Sequence, residues 1–257
     1  IAQLIEAFSS VDVVVNAFNP PYTATVYKVF LETLRKIVVA AEHSSIQYFI
    51  TIGGTASLHL SPDSHESAGD SRAFWLAYRR ATADSEAATY HMEERIGIGS
   101  PMANGMRTYR AARQALVSGN ASEADTQAIE DVEKPIREAE DFANDIPLAA
   151  RASFMFFEGR TSFKWSFISP PAKYVPGPRT GKYEKYVDLV PLAPESDESR
   201  RGKENEYEGR LLGISVADLA VAVADEVEKP QMVGKHWSPV ADLPGEQERG
   251  VSYVHLR

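Results

Sequence analysis

The order of elements at the opening of the chain limits its fold more than any other feature. Val11–Ala17 (VDVVVNA) and Gln47–Ile52 (QYFITI) are short apolar runs rich in β-branched residues. Between them Val26, Phe30, Leu34, Ile37, Val38 and Ala41 recur near the helical period and predict a helix over Thr23–His43. Asn19-Pro20-Pro21 separates the first run from that helix, because proline disfavours helical geometry in the residue before it. Ile1, Leu4, Ile5 and Phe8 share one face of an earlier helix. Unalternating apolar runs suit strands buried on both faces, as in a parallel sheet covered by helices. The sequence therefore predicts an α/β fold.

The rhythm then changes. No strand is expected from Leu58 to Ser162. Ser71–Arg95 and Met106–Val117 read as arginine-rich helices, Ser122–Ala143 as an acidic helix capped by Ser122 with Asp125, and Pro147–Glu158 as an apolar helix begun by its proline. Gly97–Met102 is expected to be a loop. Phe163–Ile168 alternates as a strand and runs into Ser169-Pro170-Pro171. Short strands are expected around Tyr183–Leu192, Arg210–Ile214 and His236-Trp237, with a charged loop over Glu195–Glu208 and a loose tail. Ser215 and Asp218 form a capping-box pattern before the helix Ser215–Glu228. The expected organisation is one domain in three stretches: 1–57, a helical insertion over 58–162, and 163–257.

Composition excludes several chemistries. The chain has no cysteine, which removes disulfides, thiolate metal sites and cysteine nucleophiles. Its six histidines are scattered with no pair at a ligand spacing, so no metal is expected. The balance of 27 basic and 36 acidic residues gives a net charge of −9, against a nucleic-acid partner. No apolar run approaches the ~20 residues needed to span a bilayer, and a cytoplasmic protein without a membrane partner is expected. The sequence leaves the oligomeric state open.

Three apolar runs end in small or polar residues: Asn16, Ala17 and Phe18; Gly53, Gly54 and Thr55; Ser169, Pro170 and Pro171. Ligands of open parallel sheets bind outside the carboxyl ends of the strands, and small residues there let a flat group lie against the backbone. Any one of the three could be a tight turn. Together, in order and separated by helices, they read as a ligand shelf. Phe74, Trp75 and Tyr78 could line a pocket for a flat substrate or anchor the insertion. Arg72, Arg79 and Arg80 read as a salt-bridge face, or as the receptor for an anionic substrate.

These residues resemble a known family. VDVVVNA, the long helix and YFITIGGTASL resemble the second half of an atypical short-chain dehydrogenase/reductase of the NAD(P)H-binding, NmrA-like group. FKWSFISPPAKYVPGPRTGKY and ISVADLAVAVADEVEKP carry the likeness further, over roughly half the chain. FWLAYRRA, MRTYRAARQAL and SFMFFEG are similar to the fungal averufin-oxidase-type tailoring oxidoreductases. The resemblance implies a Rossmann-like parallel sheet, NADP or NAD as cofactor on the shelf residues, and an aromatic polyketide substrate.

Two departures qualify it. The family's glycine-rich turn after its first strand has no counterpart, so the resemblance implies an N-terminally truncated sheet with a long helical insertion, or else a degenerate member of the family. The Tyr-x-x-x-Lys pair of classical relatives is also missing, and Tyr109 with Arg113 has the nearest spacing. Arginine supplies charge but holds its proton at neutral pH. Tyr109, Arg113 and Thr55 are the candidates for proton handling and substrate orientation, with Ser57 beside Thr55. The alternative is an NmrA-like protein that senses a dinucleotide without turnover.

Overall fold

The computed structural model describes residues 1–20, 25–139, 145–197 and 202–243. Helix α1 (Ala2–Ser9) leads to β1 (Val13–Asn16), α2 (Val26–Glu42) and β2 (Tyr48–Ile52). The expected start of α2 at Thr23 lies outside the described residues. A 3-10 turn (Thr55–Ser57) precedes four consecutive helices, α3 (Arg72–Asp84), α4 (Glu86–Ile96), α5 (Pro101–Val117) and α6 (Glu123–Glu138). Then come α7 (Asp145–Phe154), β3 (Trp165–Ile168), β4 (Lys173–Val175), β5 (Glu184–Val187), β6 (Gly213–Ser215), α8 (Val216–Glu228) and β7 (Lys235–Val240).

The main sheet has the order β1-β2-β3-β7-β5. Neighbours from β1 through β7 are parallel, and β5 is antiparallel to β7. β4 and β6 form a separate parallel pair. Both sheet faces are covered. Phe49, Trp165 and Phe167 pack with Leu34, Ile37, Val38 and Ala41 of α2, while Tyr48, Ile50, Ile168 and Trp237 pack with Leu219 and Ala222 of α8. Adjacent residues of β2 thus feed opposite cores, which explains its unbroken apolarity.

The fold departs from the sequence reading at several elements. Ser71–Arg95 is two helices, because Ser85 leaves helical geometry and its hydroxyl accepts from the N–H of Ala88. The loop expected at Gly97–Met102 ends early: Ser100 caps α5 and Pro101 opens it. The capping box of Ser122 and Asp125 forms as expected, and α6 stops at Glu138; the remainder of that expected helix runs into 140–144, outside the described residues. Helix α7 starts before Pro147 and stops at Phe154, after which turns reach Gly159 at φ 69°. Ser215 does cap α8, but the Asp218 carboxylate also reaches across to the Thr180 and Gly181 amides (2.7 and 2.8 Å), so it anchors the loop before β5. β4 follows Pro171 too closely for any periodicity to announce it.

The helices of the long insertion pack on one another and on the C-terminal stretch. Ala83, Tyr109, Ala112 and Ile129 join α3, α5 and α6. Leu58, Phe74 and Ala77 meet Val190, Tyr207 and Leu211. The charged loop holds more than solvated charge, because Glu204 and Glu208 both bind Arg80.

Candidate active-site cleft

A cleft of about 990 Å³ opens at the carboxyl ends of the strands. Ala17 and Phe18 follow β1, Gly53, Gly54 and Thr55 follow β2, and Pro170 and Pro171 follow β3; all line it. Phe74, Trp75 and Tyr78 of α3, His91 of α4, and Lys173 and Tyr174 of β4 line it as well. The rings of Phe74 and Tyr78 stack at 6.4 Å, and His91 meets Tyr174 edge-on at 5.5 Å. Phe74 also belongs to the core that anchors the insertion.

The shelf residues divide by what their polar atoms do. Asn16 is buried at the end of β1. Its amide donates to Thr51 Oγ1 at 2.8 Å and its carbonyl accepts from the Phe18 N–H at 3.2 Å, so it fixes the exit of the strand. Gly53 answers to packing: a Cβ there would lie 2.0 Å from Cε1 of Phe167. At Gly54 the nearest atom would be Cβ of Ala150, at 3.1 Å. Thr55 donates to the carbonyl of Pro170 at 2.6 Å, tying the ends of β2 and β3 together while its hydroxyl lone pairs stay available.

Ser169 lies behind the cleft in a cluster that gave no local signal. Its hydroxyl is 2.9 Å from Ser57 Oγ and 2.9 Å from His236 Nε2, and Ser57 is 3.0 Å from the same nitrogen. All three residues are buried. Burial, with a smaller contribution from His59, pushes the His236 pKa down to about 3, so the ring is neutral. Phe154 stacks on it at 4.2 Å. These residues come from β7, the 3-10 turn and the end of β3, and only the sheet order brings them together.

Tyr109 and Arg113 sit in the helical layer. Tyr109 is 4% exposed, does not line the cleft, and donates to Glu133 Oε1 at 2.7 Å. Burial and the Glu133 carboxylate raise its pKa far above that of a free phenol. Arg113 reaches the cleft wall but binds Asp84 through two bonds of 2.8 Å. Glu133 is 1% exposed and is shared by Arg80, Arg113 and Arg137. Burial alone would raise its pKa; the Arg80 and Tyr109 hydrogen bonds outweigh that and lower it. Arg72 donates to the carbonyls of Arg137 and Ala139 at the end of α6. Arg72 and Arg80 of the expected anion receptor are thus joined to α6, Arg80 through the ion pairs that a salt-bridge face requires.

Among the described residues no group of three or more His, Asp or Glu is placed to hold a metal ion, and no helix is long and apolar enough to cross a membrane.

No protein-family profile matches the chain. It is 34% identical over 82 residues to the uncharacterized protein YwnB of Bacillus subtilis, a match spanning 32% of each chain. Among solved structures it is similar to a candidate NADH-flavin reductase of Streptococcus pneumoniae, with a TM-score of 0.52 at 14% identity over 93% of this chain and 78% of that one. A candidate epimerase of Bacteroides thetaiotaomicron gives a TM-score of 0.50 at 18% identity, over 93% of this chain and 71% of that one. The chain has the Rossmann-like α/β fold of such reductase- and epimerase-like proteins.

Proposed function

We propose that the chain is an NAD(P)H-dependent oxidoreductase acting on a flat aromatic substrate, of the polyketide class implied by its sequence resemblance. One observation supports this above others: a single cleft crosses the carboxyl ends of three adjacent parallel strands and continues between the aromatic rings of α3 and β4. The strand-end walls fit the planar nicotinamide end of a dinucleotide, since Ala17, Gly54 and Pro170 project little or no side chain into the space. A bound reduced nicotinamide supplies a hydride.

The chain's own residues would position the ligands. Phe74, Trp75 and Tyr78 offer flat apolar surfaces and keep water from the reacting face. Thr55 keeps acceptor capacity for a substrate hydroxyl or a carboxamide N–H while its proton holds Pro170. Arg113, neutralised by Asp84, contributes shape more than charge to the wall.

Calorimetric titration with NADH and NADPH tests the reading. Saturable binding of at least one is expected. Absence of binding to either at millimolar concentration overturns it.

A further inference from the structure

The cations of the cleft are not alike. Arg80 is bound by Glu133, Glu204 and Glu208. Arg113 is bound by Asp84 and approached by Glu133. Arg95 also has an interaction partner, and Lys203 is exposed to solvent. Lys173 lines the same cleft, is partly buried, and has no carboxylate or hydrogen-bond acceptor on its ammonium among the described residues. Burial lowers its pKa. A desolvated ammonium without a counter-ion costs free energy that an anionic ligand group would offset.

The position of Lys173 is built. β4 pairs with β6 in the register Lys173↔Gly213. A Cβ on Gly213 would lie 2.7 Å from the Lys173 Cβ and 2.5 Å from its carbonyl oxygen. Glycine at that position lets β4 sit flush, which fixes where the lysine leaves the strand. Tyr174, the next residue of β4, lines the same cleft and packs edge-on against His91. An apolar aromatic wall beside one uncompensated cation is a recognition pattern for a flat molecule with one anionic end.

We propose that Lys173 is the anion receptor of the cleft, and that the aromatic ligand held there carries an anionic oxygen group, a carboxylate or an ionised phenol. The proposal rests on the reading of the cleft as a substrate site. It moves the anion-binding role from the arginine cluster of α3, where Arg80 is committed to ion pairs and Arg72 to backbone carbonyls, to a lysine three residues beyond Pro170.

The test is calorimetric titration of wild type, Lys173→Met and Lys173→Arg with anthraquinone carboxylate and with its neutral hydroxymethyl analogue. Wild type is expected to bind the carboxylate about tenfold more tightly than the neutral probe. Lys173→Met is expected to lose that preference while its affinity for the neutral probe is unchanged, and Lys173→Arg to keep most of it. Equal binding of both probes by wild type, binding of neither, or a preference that survives in Lys173→Met would overturn the proposal. NADPH and NADH are titrated on the same proteins. Weakened NADPH binding by Lys173→Met with the carboxylate preference intact assigns the lysine to a cofactor phosphate and also overturns it. Nucleotide binding without probe discrimination sinks the anion receptor alone, whereas discrimination without nucleotide binding sinks the reductase reading alone.

Discussion

The phenol of Tyr109 donates to the buried carboxylate of Glu133 at 2.7 Å, inside the helical layer and away from the cleft. Replacing Tyr109 with Phe removes one hydrogen bond to a charged group and leaves the cleft wall untouched. The variant is expected to lose about 1.5–3 kcal/mol of stability in urea unfolding. Its affinity for NADH or NADPH should equal that of wild type, and a selective loss of nucleotide affinity would place Tyr109 in the site after all.

Glu133 is the common counter-ion of Arg80, Arg113 and Arg137. Glu133→Ala leaves several guanidinium groups undercompensated and is expected to cost about 3–5 kcal/mol. The loss should exceed that of Tyr109→Phe. Chemical unfolding of the two single variants and the double variant also gives their coupling, which must be non-zero if the pair acts as a unit.

His236 sets an acid limit. Its folded pKa of about 3 lies below the ordinary 6.5, so between those values the unfolded chain binds a proton that the folded chain refuses. Stability therefore falls as pH drops below the unfolded value, by about 1.4 kcal/mol per pH unit once well below it, and this loss levels off below the folded value. His236→Asn removes this dependence. Urea midpoints at neutral and mildly acidic pH should converge less for wild type than for the variant; identical acid losses would acquit the histidine.

Gly53 tests packing against ligand approach. A Cβ at this position would lie 2.0 Å from Cε1 of Phe167. Gly53→Ala is expected to lose about 1–3 kcal/mol through overpacking. Adding Phe167→Leu should recover part of it. Failure of the second change to help, in thermal unfolding, would mean that the glycine is kept for another reason.

The strands and helices of the sheet were legible because burial leaves a pattern in neighbouring residues. Tyr48 to Ile52 read as a strand since successive side chains enter two cores. Ser122 with Asp125 read as a helix start because both partners of the cap lie within one turn. The shelf was legible as a place but not atom by atom. Asn16, Gly53 and Ser169 fit the pattern of a ligand-binding strand end, yet their atoms serve Thr51, Phe167 and His236. Long-range partners set those roles, and local periodicity does not report them. The split at Ser85 is not legible for a different reason: a serine within a helical pattern reads equally as interior or as cap until the backbone turns. Lys173 carried no signal, because what distinguishes it is the lack of a nearby carboxylate in space.

The place of β7 in the sheet has a consequence for biosynthesis. Among the described residues β5 has β7 as its one neighbour in the main sheet, and β3 is left with one open side until the same strand arrives. On the ribosome, the segment Glu184–Val187 therefore emerges before its sheet partner, and Trp165–Ile168 exposes a hydrogen-bonding edge meanwhile. The sheet can close only after Lys235–Val240 has left the exit tunnel. Assembly of this half of the molecule is delayed to a late stage of translation, and the nascent chain passes through an interval in which chaperone capture competes with strand insertion.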